Sequence, residues 1–174
     1  ALVEARFAGT PMLHLTGQTA TSNMDLGQGA VHDVPNQLGM LRAVSKSAYR
    51  VRSAAMALGT LIKATSEAMT PPMGPVSVEI PIDIQRTKIS RPVELATLQL
   101  QTPIPDAGSD ANLDEIAVQL KSAKRPLLWV GNGGKFAGAA VARLVDLGIP
   151  VITSWNGRGV LPEDHPMSLG SLAT

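Results

Sequence analysis

The stretch Gly74-Pro-Val-Ser-Val-Glu-Ile-Pro-Ile-Asp-Ile-Gln85 limits what this chain can fold into more than any other. Val76, Val78, Ile80, Ile82 and Ile84 alternate with smaller or polar residues, the period of two expected of a buried strand. Pro75 and Pro81 lack the N–H that a ladder uses, so the pattern predicts a strand over 76–80. Beyond it, Pro92, Pro103, Pro105 and Gly108 occur with little helical periodicity, so residues 86–110 read as an exposed crossing between two blocks, 1–85 and 111–174.

Composition sets the outer limits. A chain of 174 residues, 44% hydrophobic and 17% charged, can bury a packed core. A net charge of +1 leaves no electrostatic footprint for nucleic acid, and the basic clusters at Arg50/Arg52 and Lys121/Lys124/Arg125 are short. Without cysteine there is neither a disulfide framework nor thiolate chemistry. No apolar run approaches the roughly 20 residues of a membrane span. The expectation is a cytoplasmic globular protein with no nucleic-acid or membrane partner.

In the first block, Leu2, Val3, Ala5 and Phe7 before Gly9 fit the last turns of a helix. Pro11-Met-Leu-His-Leu-Thr16 suits a buried parallel strand ending at Gly17-Gln18, the end at which open α/β sheets hold ligands. His14 reads as a hydrogen-bonded core residue rather than a ligand. Residues 19–36 are polar and glycine-rich, a loop long enough to carry function. Its His32-Asp33 pair suits acid/base chemistry or part of a metal site, although no third ligand stands at a recognised spacing. Helices are predicted over 37–45 and from a Ser53 cap through Leu58, Leu61, Ile62 and Met69 to Pro71-Pro72, with an extended segment at 49–51 between them.

The second block opens on Asn112-Leu-Asp-Glu115, a capping-box spacing before an apolar stripe of Leu113, Ile116, Ala117 and Leu120. An apolar strand over 126–130 runs into Gly131-Asn-Gly-Gly134. A helix marked by Val141, Leu144, Val145 and Leu147 ends at Gly148, and a strand over 149–153 follows, which makes a βαβ unit. Glycines at its first turn allow either a phosphate to approach the backbone or the helix to pack closely on the sheet. Gly157-Arg-Gly159 offers a similar loop, with Arg158 open to a phosphate or carboxylate, or simply solvated. Trp129 and Trp155 read as packing residues, Trp155 also as a cover for a ring.

In order, Thr16-Gly-Gln18, Val31-His-Asp-Val34, Arg42-Ala-Val-Ser-Lys46 and the stretch from Gly74 to Ile84 resemble the pyrimidine-binding domain of thiamine-diphosphate enzymes. Lys124-Arg-Pro-Leu-Leu-Trp-Val-Gly-Asn-Gly-Gly134, Ile149-Pro-Val-Ile-Thr-Ser154 and Gly157-Arg-Gly-Val-Leu-Pro-Glu-Asp-His-Pro166 resemble the start of their central domain, most of all in acetolactate synthases and related decarboxylases and carboligases. The resemblance implies an α/β fold of three-layer units with parallel sheets: the C-terminal part of a pyrimidine-binding domain (1–85), a linker (86–110) and the N-terminal part of a Rossmann-like central domain (111–174). It further implies thiamine diphosphate with Mg²⁺ bound largely outside this segment, FAD or ADP in the central domain, a 2-keto acid or acyl substrate, and a homodimer or homotetramer.

By position, Gln18 and Val31-His32 match residues lining the pocket over the cofactor, and Lys46 matches a lysine near the substrate channel. Gly131, Gly133, Gly134, Thr153 and Ser154 match turns facing a flavin or nucleotide. His32 departs from the Phe-Gln often found there, and an imidazole can act as acid or base toward a carbonyl where an amide cannot. The family's aminopyrimidine-binding glutamate and its Gly-Asp-Gly metal motif are not in these residues, so the expectation is an internal fragment, inactive alone. Two alternatives stand beside this reading: a noncatalytic FAD- or ADP-binding or oligomerisation module that keeps the scaffold, and a Rossmann-like domain unrelated to thiamine.

Overall fold

The computed structural model describes residues 1–99 and 108–172, and the chain divides into two compact units, Ala1–Pro105 and Asp106–Thr174. Pro103 and Pro105 of the predicted crossing lie outside the described residues.

The first unit runs α1 (Leu2–Phe7), β1 (Met12–Gln18), α2 (Gln37–Val44), β2 (Ser47–Arg50), α3 (Ala57–Met69), β3 (Pro75–Pro81) and α4 (Ile82–Arg86). Its three strands are parallel in the order β1-β3-β2, with Met12 opposite Pro75, Gln18 opposite Pro81 and Ser47 opposite Val76. The proline-bounded stretch is therefore the central strand, and Val76, Val78, Val51, Ala64 and Ala68 form the core beside it. β3 takes in both prolines, because they stand at its first and last positions, where a missing ladder bond costs least. Ile82 and Ile84 share the alternation but lie beyond the predicted strand, and the structure leaves them out of β3. Past Pro81 they belong to α4.

Two other expectations change in detail. Ser53 makes no side-chain cap, and a 3-10 turn at Ala54–Met56 leads into α3 instead. The tightest helix-to-sheet contact is made by Ala64 and Ala68 rather than by the larger apolar residues of α3, since small side chains let the backbones approach.

The second unit runs α5 (Asp110–Ser122), β4 (Leu128–Val130), α6 (Gly138–Val145), β5 (Val151–Ser154) and β6 (Ser168–Leu172), with parallel strand order β4-β5-β6. Val141 and Val145 of α6 pack on Val130 and Val151, closed by Val160 and Leu161. Both strands start later than predicted, past Pro126 and Pro150, which have no N–H to donate. Gly148 follows α6 at φ 83°, the left-handed conformation that ends a helix. Leu147, counted in the apolar pattern, is exposed. The cap of α5 is Ser109, whose hydroxyl accepts from Asn112 N–H, so Asn112 lies inside the helix rather than at its start. Leu113 and Ile116 are exposed, and no described residue covers their stripe.

Candidate functional site

The carboxyl ends of parallel strands open the first unit's largest cavity, about 520 Å³, between the end of β1, the loop 19–36 and the start of α4. Thr16, Gly17, Gln18 and Thr19 form one wall, Val31, His32 and Val34 the other, and Gln37 and Ile82 the rest. The structure thus brings Gln18 and His32 to one cavity. The loop reaches this position through left-handed residues, among them Asp25, His32 and Asn36.

The polar groups here are mostly committed. The Gln18 carbonyl accepts from Thr19 N–H at 2.7 Å, which leaves its NH₂ as the group to offer a ligand. Gln37 spends both N–H groups, one on the Gly17 carbonyl at 2.9 Å and one on Glu79 at 3.1 Å, so it positions the strand end. Glu79, in the middle of β3, is fully buried and also takes the Arg50 Nε–H; Arg50 reaches on to Asp25 at 3.2 Å. One buried carboxylate thereby ties β2, β3 and α2 to both walls of the cavity. Burial works against the Arg50 charge, but hydrogen bonds and the charges of Glu79 and Asp25 raise its pKa above the ordinary value. Asp83 holds the loop's first turn, accepting from Thr21 N–H at 3.1 Å and Thr21 O–H at 2.5 Å. The hydroxyl bond keeps its carboxyl below the ordinary range.

Thr19 is nine-tenths buried, yet its hydroxyl has no hydrogen-bond partner among the described residues. Sequence reasoning passed over Thr19, Glu79 and Arg50. Glu79 is one of the polar alternates of β3, and in a central parallel strand those positions are buried as well. His14 is hydrogen-bonded as expected, its Nδ1 3.0 Å from Ser77 Oγ, but it is half-buried rather than in the core.

Lys46 is not brought to this cavity. It stands at the opposite, amino end of the sheet, where its ammonium donates to the carbonyls of Glu67 at 2.7 Å and Thr70 at 2.8 Å and so caps α3. Nearby, burial pushes the Glu67 carboxyl up, but hydrogen bonds from Ser47 and Tyr49 and the charges of Lys46 and Lys63 outweigh it and hold the group below 4.5.

In the second unit the Gly131–Gly134 turn and the loop after Ser154 lie side by side at the carboxyl ends of β4 and β5. Gly157 is a packing glycine, since a Cβ there would overlap the Val130 carbonyl. Gly133 faces open space, and Asn132 Oδ1 is buried without a partner among the described residues, so the turn has room and an acceptor for a ligand's donor. Thr153 is buried, and Ser154 Oγ lies 3.9 Å from where a Gly131 Cβ would stand. Arg158 is engaged rather than open: it pairs in two places with Glu163, at 2.7 and 3.0 Å, and stacks on Trp155. A smaller cavity, about 290 Å³, includes Gly131 and Gly134 but not Thr153, Ser154 or Arg158. Among the described residues no group of three or more His, Asp or Glu side chains could hold a metal ion.

Residues 113–174 match the family described as the thiamine pyrophosphate enzyme central domain. Along nearly its whole length the chain is similar to acetolactate synthases: 31% identical to that of Arthrospira platensis over 97% of the chain, 29% to isozyme 1 large subunit of Escherichia coli over 99%, and 31% to maize acetolactate synthase 1, chloroplastic, over 99%. It covers 27–30% of those relatives' length. An X-ray structure from Mycobacterium smegmatis, assigned as a thiamin diphosphate-dependent enzyme, superposes with a TM-score of 0.75 at 29% identity, over 99% of this chain and 33% of that one. Residues 113–174 thus match the central domain of thiamine pyrophosphate enzymes, and along nearly its whole length the chain is similar to acetolactate synthases. The mixed α/β fold with parallel sheets matches a segment of such an enzyme. No helix among the described residues is long and apolar enough to cross a membrane.

Proposed function

We propose that the protein carrying this segment uses thiamine diphosphate and Mg²⁺ to decarboxylate a 2-keto acid and to release or join the resulting aldehyde unit, as a homodimer or homotetramer in the cytoplasm. The observation behind this reading is the cavity at the end of β1, where Gln18 and His32 stand in an otherwise mostly apolar lining. Bound thiamine diphosphate supplies the electron sink that decarboxylation needs. His32 supplies what that chemistry lacks, a group able to give a proton to, or take one from, a carbonyl or hydroxyl oxygen of the substrate. Gln18 orients that oxygen through its NH₂, and Val31, Val34 and Ile82 exclude water. Lys46 enters as a helix anchor. Mg²⁺ would be held largely outside this segment, since among the described residues no group of three or more His, Asp or Glu side chains could bind it.

In the second unit, the open Gly133 and the orphaned Asn132 Oδ1 favour a nucleotide such as FAD or ADP at the Gly131–Gly134 turn. Gly131, Gly134, Thr153 and Ser154 shape that turn, and Arg158 reaches a phosphate only by releasing Glu163.

The test is turnover by the full-length protein that carries this segment. With thiamine diphosphate and Mg²⁺ it consumes pyruvate and releases CO₂, and His32→Gln lowers kcat by about 10²–10⁴-fold while still binding substrate. Failure of the full-length protein to consume any 2-keto acid, or full activity in the glutamine variant, would refute the reading.

A further inference from the structure

The Thr19 hydroxyl is unlike the other polar groups around the cavity. The Gln18 side-chain oxygen and the Gln37 NH₂ have partners, whereas Thr19 Oγ1 is buried with none among the described residues. A hydroxyl left this way loses its bonds to water and gains nothing in return. It belongs to a residue that lines the cavity and whose own N–H is already bonded, so the side chain is the part left over. Val31, Val34 and Ile82 offer it no partner.

Resting on the 2-keto-acid reading of this cavity, we propose that Thr19 is a specificity-determining residue: its hydroxyl, turning about χ1, bonds a hydroxyl group on the substrate's side chain. The favoured substrates are then hydroxylated 2-keto acids rather than purely aliphatic ones. The physical asymmetry is simple. A methyl in that place leaves the Thr19 hydroxyl orphaned, while a hydroxyl relieves it, and an unmet buried polar group discriminates better than an apolar wall does.

The experiment compares two probes that differ by CH₃ against OH, 2-ketobutyrate and 3-hydroxypyruvate. Binding to the full-length protein without cofactor is measured by calorimetry, for the native protein, Thr19→Val and Thr19→Ser. We expect 3-hydroxypyruvate to bind about tenfold more tightly than 2-ketobutyrate in the native protein. That ratio falls to about one or inverts in Thr19→Val and persists in Thr19→Ser. Valine has nearly the same shape and removes an orphaned hydroxyl, so the Tm of Thr19→Val does not fall. A lower Tm would show that the hydroxyl is structural and overturn the inference. An unchanged ratio in Thr19→Val, or equal binding of both probes to the native protein, overturns the role of Thr19 and leaves the 2-keto-acid reading standing. No binding of either probe overturns both.

Discussion

Removing the Arg50 side chain is the sharpest test of how the first unit holds its cavity. Glu79 has no exposed surface, and its carboxylate has two partners, Arg50 Nε–H and the Gln37 amide at 3.1 Å. Breaking a buried pair by deleting one partner costs about 3–5 kcal/mol, because the other charge stays buried alone. The Arg50 side chain keeps 19% exposure and Gln37 remains in place, so Arg50→Met should fall near the low end, about 3 kcal/mol. Glu79→Gln is gentler, about 2 kcal/mol, since it removes the fully buried charge while Arg50, partly exposed, keeps Asp25 as a partner. The double variant Glu79→Leu with Arg50→Met should be more stable than Arg50→Met alone, as no uncompensated charge remains. Amide hydrogen exchange resolves the units: in Arg50→Met, the amides of β3 exchange on the order of 100-fold faster while those of β5 do not change. A loss under about 1 kcal/mol for Arg50→Met, or a double variant weaker than the single, would refute the reasoning.

Other expectations follow from single contacts. Gly157→Ala drives a methyl into the Val130 carbonyl and should destabilise the second unit by about 2–3 kcal/mol in urea unfolding, whereas Gly133→Ala, facing open space, should change it little. Equal effects would contradict the distinction between a packing glycine and a ligand-facing one. Glu67 is held below its ordinary pKa, so the stability it adds is present above about 4.5 and lost as pH falls through its folded value. Glu67→Gln should therefore flatten the acid limb of the first unit's stability curve, and a curve unchanged below pH 4.5 would count against that coupling.

Much of this fold was legible because apolar period and proline positions are local properties. The period-2 run around Val78, the glycine after α6 and the loop between Gln18 and Gln37 all stand where the sequence alone puts them. What was not legible depends on neighbours distant in the chain. Glu79 is a network centre only because β1 and β2 flank it on both sides. Thr19 stands out only because no described residue meets its hydroxyl. Lys46, placed by its match to a lysine near a substrate channel, and Arg158, whose charge suggested a phosphate or carboxylate, both have protein partners. Asn112 lost the cap to Ser109 because the extended backbone at Ser109 presents its hydroxyl to the free N–H groups.

Under the proposed function, substrate sits at the carboxyl end of β1 between Gln18 and His32. Methyl NMR of the full-length protein, titrated with pyruvate in the presence of thiamine diphosphate and Mg²⁺, reads this placement. Saturable shifts are expected at the Val31, Val34 and Ile82 methyls, with none at Val141 and Val145. Shifts confined to the second unit, or turnover with those three methyls unmoved, would contradict it.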